Sequence, residues 1–239
     1  IREYERFTTT VVNAYIKPLM SNYLKKLDQK LLNSGFNCPL LLMTSGGTLT
    51  NISSACNNPV RLVESGPAGG AILATSIAED MNLSKVISFD MGGTTAKITI
   101  IENKKAIKAR EFEVDRKARF KKGSGYPLRI PVIEMVEIGA GGGSIARVNK
   151  LEQIITGPDS AGSFPGPACY SNGGSMPTIT DADLVIGKIN PDNFAGGKIK
   201  LSKQLADKAI TENIVKFVNI DTNIAALAIS EIVDETMSN

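Results

Sequence analysis

Apolar residues recur at helical spacing through the first thirty positions. Tyr4, Phe7 and Val11 share one face of a helix predicted over 2–14, and Leu19, Met20, Tyr23, Leu24, Leu27 and Leu31 continue the period. Pro18 stands between the two runs and is expected to interrupt the helix or open a second one, with Gly35 as the stop. A short apolar run over 39–43 predicts a buried strand that ends in the polar turn Thr44-Ser45-Gly46-Gly47. Residues 61–63 read as another strand, running into the glycine-rich turn 65–70 and an apolar helix over 71–81. Strands follow over 85–89 and 96–101, separated by the tight turn Asp90-Met91-Gly92-Gly93-Thr94-Thr95. That gap is too short for a crossover helix, so the two strands form a hairpin.

Further on, 127–138 reads as extended, 145–155 as two short strands, and 156–174 as a long loop rich in Gly, Pro and Ser. Helices over 201–217 and 222–237 close the chain. Strands and helices alternating at short intervals define an α/β layer fold. Three stretches follow from this: 1–84, helical and first α/β part; 85–155, with the hairpin and a second glycine run; 156–239, loop and C-terminal helices.

Composition narrows the chemistry. The 239 residues are 42% hydrophobic and 21% charged, which suits a folded domain, and the net charge of +3 is too small to argue for nucleic acid. No apolar run approaches a membrane span. There is no histidine, which removes Ser-His-Asp and Cys-His triads and every histidine-ligated metal from this segment. The three cysteines, Cys38, Cys56 and Cys169, fit no zinc spacing and read as reduced packing thiols of a cytoplasmic protein. Residues 104–122 hold nine Lys or Arg and three acids, read as a solvated hairpin and loop with an anion patch as the alternative. The chain opens on Ile1 in helical sequence and still reads as helix at its end, so both ends are expected to be cuts in a longer polypeptide.

Four motifs carry candidate chemistry. In Phe89–Thr95 a strand delivers Asp90, Gly92 and Gly93 let the backbone turn its N–H groups outward, and Thr94 and Thr95 add hydroxyls; converging donors of this kind satisfy a phosphate. An acid such as Asp90 holds a hydrated Mg²⁺ beside phosphates or orients an attacking oxygen. The alternative is a plain Gly-Gly hairpin with an incidental acid. The second motif is 139–144, GAGGGS. Bare backbone at Gly139, Gly141, Gly142 and Gly143, closed by Ser144, suits contact with a nucleotide, or else a glycine turn between strands. It lacks the spacing of a dinucleotide fingerprint, and no P-loop pattern exists in the chain. The third, SGPAGG at 65–70, reads as an anion-attracting helix start or a close packing contact. The fourth is the pair Asp181 and Asp183, for acid–base or metal chemistry or for capping a helix near 184–189; capping is the better account.

In this order, SGPAGG, FDMGGTT, VEIGAGGGSIA, GPDSAGSFPGPACY and TITDADLVIGKINPDNF resemble the core of hydantoinase A, 5-oxoprolinase and acetone carboxylase β-type subunits, and REYERFTTTVVNAYIKPLM resembles that family's opening helix. The resemblance spans nearly the whole chain. It implies an actin-like ATPase (ribonuclease H-like) fold, α/β with a mixed sheet and flanking helices, present here as a partial fragment. In that fold two related domains close on ATP, each with a phosphate hairpin. The implied cofactors are ATP and Mg²⁺, with Asp90 organising the metal or the attacking oxygen. Gly92, Gly93, Thr94 and Thr95 would hold phosphates, and Gly139, Gly141, Gly142, Gly143 and Ser144 would lie toward the adenosine.

The implied reaction is ATP-dependent activation and opening of a small cyclic amide: a hydantoin, N-methylhydantoin or 5-oxoproline. A B-type hydantoinase subunit or domain is the implied partner. The rivals are an ATP-dependent ketone carboxylase subunit and a non-enzymatic nucleotide switch of the actin or chaperone kind. Only one D-x-G-G-T hairpin is present, so these residues alone are expected to bind ATP weakly and turn nothing over. Val136-Glu137-Ile138 before the glycine turn, and the basic run 119–123, lean toward the methylhydantoinase and carboxylase-like branch.

Overall fold

The computed structural model describes residues 3–116 and 123–238 as a mixed α/β chain. The basic run at 119–122 lies outside the described residues. The chain divides into two units, one made of Ile1–Ser88 and Ile98–Val136, the other of Phe89–Lys97 and Glu137–Asn239.

The first unit opens with α1 (Glu3–Asn33), which passes unbroken through Pro18. The expected break is absent because Ala14 and Pro18 both lie on the exposed side, so the carbonyl that loses its partner faces water. The opposite side of α1 is held by Asn13, whose amide donates to the Asn57 carbonyl and accepts from the Val60 N–H, and by the Ser21 hydroxyl on the Cys56 carbonyl. Strand β1 (Leu41–Met43) is shorter and less buried than the expected 39–43 and pairs antiparallel with β2 (Leu49–Asn51). The turn between them, 44–47, is a buried hub: the Ser45 hydroxyl donates to the carbonyls of Arg61 and Pro131, and its own carbonyl accepts from the Ile133 N–H.

Helix α2 (Ile52–Asn57) is capped by Asn51. Residues 61–63 are not a strand. Pro59 starts a 3₁₀ turn, Pro59–Leu62, because its fixed φ suits a first helical position. The glycine-rich run 65–70 is not a turn either: α3 (Ser65–Asp80) begins at Ser65 and includes it. Pro67 sits in the first helical turn, where an N–H has no partner to lose. Ala68 and Ala71 are small enough for α3 to close onto Ile133. Nothing in the structure explains glycine at Gly66 and Gly70, whose surroundings are open.

Strands β3 (Lys85–Met91) and β4 (Ala96–Glu102) form the expected hairpin, and the chain passes from one unit to the other within each strand. Short strands follow: β5 (Lys105–Ala106), β6 (Lys108–Ala109), β7 (Phe112–Val114), β8 (Tyr126–Leu128), β9 (Val132–Ile133) and β10 (Val136–Ile138). One sheet has the order β10-β4-β3, with β5 on β4; β6 pairs β9 and β7 pairs β8. Val60, Leu128, Ile130 and Val132 form a buried cluster against Val12 and Ile16 of α1.

In the second unit, β11 (Ser144–Val148) and β12 (Ile154–Ser160) are an antiparallel pair with a register shift between Ser144 and Ala146. Helix α4 (Ile179–Val185) starts earlier than the expected 184–189. Thr178 and Asp181 close a reciprocal capping box, so the two acids lie within the helix. Then come α5 (Lys203–Ile210), a π-turn (Thr211–Val215), α6 (Lys216–Val218) and α7 (Thr222–Ser238). Helix α4 packs on α5 and α7, and Ile179, Leu184, Ile210, Ile214 and Ile229 are buried there. Among the described residues no helix is long and apolar enough to cross a membrane.

Candidate functional site

Both glycine motifs of the sequence, the hairpin tip and GAGGGS, belong to the second unit, and they touch. The tip is closed by the Gly92 N–H on the Thr95 carbonyl at 2.9 Å. The glycine turn then grips it from below. The Gly142 N–H donates to the Gly92 carbonyl at 3.0 Å and the Gly143 N–H to the Gly93 carbonyl at 2.6 Å, while the Ser160 hydroxyl reaches the Gly93 carbonyl at 3.4 Å.

This grip decides where the tip points its donors. Cis peptides occur only at Gly157–Pro158 and Phe164–Pro165 among the described residues, so the 92–93 and 93–94 peptides are trans and planar. In a trans peptide the N–H is opposed to the C=O. With the carbonyls of Gly92 and Gly93 held inward, the N–H groups of Gly93 and Thr94 face outward. Neither amide has a partner among the described residues, nor do the hydroxyls of Thr94 and Thr95. Gly92, Gly93 and Thr94 are exposed, as is Asp90 at the end of β3. The tip therefore presents two outward amides, together with the unpartnered hydroxyls of Thr94 and Thr95 and, two residues before Gly92, the exposed Asp90, groups of the kind that coordinate an anion carrying a cation.

The amides of the glycine turn do something else. Gly141 donates to the Ser144 hydroxyl oxygen at 3.0 Å, and those of Gly142 and Gly143 are spent on the hairpin. The carbonyls are also engaged: Gly141 accepts from the Ser144 N–H, Gly142 from Thr180, and Gly143 from the Ala161 N–H. Gly139 precedes this knot; its carbonyl lies 3.3 Å from where a Cβ on Gly157 would stand. Side chains are excluded by backbone at Gly141 and Gly143 and by a side-chain hydroxyl at Gly142. A Cβ on Gly141 would stand 2.7 Å from the Thr94 backbone, one on Gly142 2.8 Å from the Thr180 hydroxyl, and one on Gly143 2.8 Å from the Gly93 carbonyl. At Gly93 the reverse holds. A Cβ there meets nothing within 4 Å, and φ is not positive.

Asp181 and Asp183 have separate fates. The Asp181 carboxylate is fully buried and accepts from the N–H groups of Ala168, Cys169 and Thr178 and from the Thr178 hydroxyl. It fastens 168–169 to the start of α4 and has no exposed face for acid–base or metal work. Burial, then the Asp181 charge, push the Cys169 thiol far above the thiolate range, so it is an inert packing group. Asp183 accepts from Ser230 at 2.9 Å and faces Lys188 at 4.0 Å, and burial raises its pKa. No cluster of three metal-ligating side chains occurs among the described residues.

Sequence reasoning gave Thr180 no role, and it singled out the loop 160–170 as a place for substrate contacts without placing Ser160 at the hairpin. The T-x-x-D spacing of Thr178 and Asp181 announced a helix start, which would have put Thr180 in its first turn. Ser160 stands in the resembling run 157–170, but local pattern does not set it against the tip, which it meets from the end of β12.

A mixed α/β chain with an exposed glycine hairpin is the class that fold and site define. The chain belongs to the hydantoinase/oxoprolinase family, whose profile matches residues 6–239. It is 48% identical over 214 residues to an uncharacterized protein of Methanocaldococcus jannaschii, covering 88% of this chain and 31% of that one. It is 35% identical over 237 residues to caprolactamase subunit alpha of Pseudomonas jessenii, covering 99% of this chain and 33% of the subunit. The crystal structure of that ATP-dependent caprolactamase matches with a TM-score of 0.73. The nucleotide-free structure of acetone carboxylase matches with a TM-score of 0.85 at 27% identity, over 98% of this chain and 32% of that one. The chain thus spans about a third of the length of these two curated relatives.

Proposed function

We propose that this chain is the phosphate-hairpin part of an ATP-dependent enzyme subunit with an actin-like ATPase fold, which activates and opens a small cyclic amide. The observation that carries the reading is the outward pair of amides at Gly93 and Thr94, with open space where a Cβ of Gly93 would stand. Phosphate oxygens fit such a cradle, and a side chain at Gly93 would fill it. In this reading Gly92, Gly93, Thr94 and Thr95 bind the phosphates of ATP. Gly139, Gly141, Gly142, Gly143 and Ser144 support the hairpin from below, with Gly141, Gly143 and Ser144 buried beneath it.

Asp90 is the carboxylate for Mg²⁺ or for the attacking oxygen. A single exposed acid suits Mg²⁺, which takes one or two carboxylates beside phosphates and water. Bound there, the ion would neutralise charge on the transferred phosphoryl group. The name of the Pseudomonas relative, a caprolactamase, supports a cyclic amide as substrate, and its status as an alpha subunit supports a B-type partner. A ketone carboxylase is the second reading, favoured by the match to acetone carboxylase.

The test is ATP hydrolysis by the intact protein with its partner subunit, in the presence of 5-oxoproline, hydantoin, N-methylhydantoin or caprolactam, and separately of acetone with bicarbonate. Stimulation by a lactam or hydantoin alone is expected. Stimulation only by ketone plus bicarbonate would replace the first reading with the second, and nucleotide binding without any stimulated turnover would favour a switch.

A further inference from the structure

The hairpin's outward amides sit at the ends of two hydrogen-bonded chains of peptide groups, and one of these chains begins at a side chain. The Gly142 carbonyl accepts from both the N–H and the hydroxyl of Thr180, each at 2.8 Å. That carbonyl and the Gly143 N–H belong to one trans peptide, and the Gly143 N–H donates to the Gly93 carbonyl. The Gly93 carbonyl in turn shares its peptide with the outward N–H of Thr94. The order is therefore Thr180 to peptide 142–143 to peptide 93–94 to the open side of the tip. A parallel chain runs from the Ser144 N–H through peptide 141–142 and the Gly92 carbonyl to the Gly93 N–H, but it starts from backbone alone.

Hydrogen bonds in series polarise one another, so a donor at the end of such a chain is stronger than an isolated amide. A carbonyl has two lone pairs. With both taken by Thr180, the 142–143 peptide is fixed in tilt as well as in distance. Thr180 is itself only 5% exposed, in the first turn of α4, beside the capping box of Thr178 and Asp181. Its backbone N–H alone would satisfy the Gly142 carbonyl once. The hydroxyl adds the second bond at the cost of burying a polar group that needs that very partner.

The geometry points to Thr180 as a positioning residue: its hydroxyl aims and polarises the Thr94 amide for a phosphate oxygen without touching the ligand. This rests on the reading of the hairpin tip as a phosphate site. It is tested on the intact protein with Thr180→Val, which keeps the shape and removes the hydroxyl, and Thr180→Ser, which keeps the hydroxyl. Calorimetry with ATP and with pyrophosphate should show Val weakening both by about three- to fivefold, less than the roughly tenfold of a hydrogen bond made directly to the ligand. Serine should stay within about twofold of wild type. Val binding as well as wild type, or Ser binding as poorly as Val, would overturn the assignment.

If Val does not fold, amide NMR of the wild-type protein decides. Pyrophosphate should shift the Gly93 and Thr94 amides downfield, and those of Gly142 and Gly143, next in each chain, downfield by less. Gly93 and Thr94 moving while Gly142 and Gly143 stay still sinks the relay. Wild-type protein that binds neither ATP nor pyrophosphate overturns the phosphate site itself, and the relay with it.

Discussion

The two glycine motifs look alike as sequence and are opposite as structures. GAGGGS at 139–144 is glycine because the protein crowds it: every amide and carbonyl of Gly141 to Gly143 is engaged, and a Cβ at any of the three would strike a neighbour within 2.8 Å. The hairpin tip is glycine where nothing in the protein requires it. Gly93 has open space around it and no positive φ. A glycine demanded from inside is a packing residue, and a glycine with no internal reason is a candidate for outside contact. The first run builds the platform, and in the proposed reading the second faces the ligand.

Gly141→Ala should break this contrast most forcefully if it is wrong. The new methyl group would lie 2.7 Å from the backbone of Thr94, which cannot swing aside as a side chain can. A loss of about 3 kcal/mol is expected, at the upper end for overpacking a tight site, read as a fall in the urea midpoint. A midpoint unchanged from wild type would mean that the turn is looser than its distances imply. On the other side, Asp90→Asn should leave the urea midpoint alone, because the carboxylate is exposed. It should lower kcat by about 100-fold or more, the usual loss for a key acid–base or electrostatic group. Near-normal turnover would take Asp90 out of the mechanism.

Gly93→Ala sharpens the comparison from the ligand's side. Stability should stay within about 0.5 kcal/mol of wild type, as for surface changes away from special features. Pyrophosphate affinity should drop about tenfold, through a methyl group placed in the cradle. Equal binding by the variant would show that the open space at Gly93 is not where phosphate lies.

The sequence carried the hairpin well, since six residues between two apolar runs admit hardly another connection. It also carried the helical ends of the chain, where the 3.6-residue period is long. It failed where a neighbour decides. Pro18 was expected to break α1, but water satisfies the carbonyl that proline orphans. Residues 61–63 were expected as a strand, yet Pro59 starts a 3₁₀ turn that takes in Arg61 and Leu62. The run 65–70 lies inside α3, because small residues there meet Ile133 from another part of the chain. For the site, residue types were legible but their division of labour was not. Local pattern does not tell a glycine crowded by Thr94 from one open to solvent. Thr180 reaches the glycine turn across 38 positions of sequence and Ser160 the tip across 67, spans that local pattern does not bridge.

The smallest effect concerns the far end of the platform. Burial raises the pKa of Asp183 in α4, with Asp234 adding to the rise and Ser230 and Lys188 opposing it. The native state therefore holds this proton to higher pH than the unfolded chain does. Stability from this group falls as pH rises from 3.8, the ordinary value, through the raised native value. Below 3.8 both states are protonated and nothing is lost; above the native value the penalty is complete. Asp183→Asn cannot ionise, so its urea midpoint should decline less than that of wild type across that window. Parallel curves would show that Asp183 is not held protonated. Its affinity for pyrophosphate should match wild type, because Asp183 bonds to Ser230 and Lys188 on the side of α7, while the glycine turn hangs from Thr180. Weakened binding in this variant would mean that the tip senses the whole of α4, and that the line drawn between platform and ligand-facing glycine stands in the wrong place.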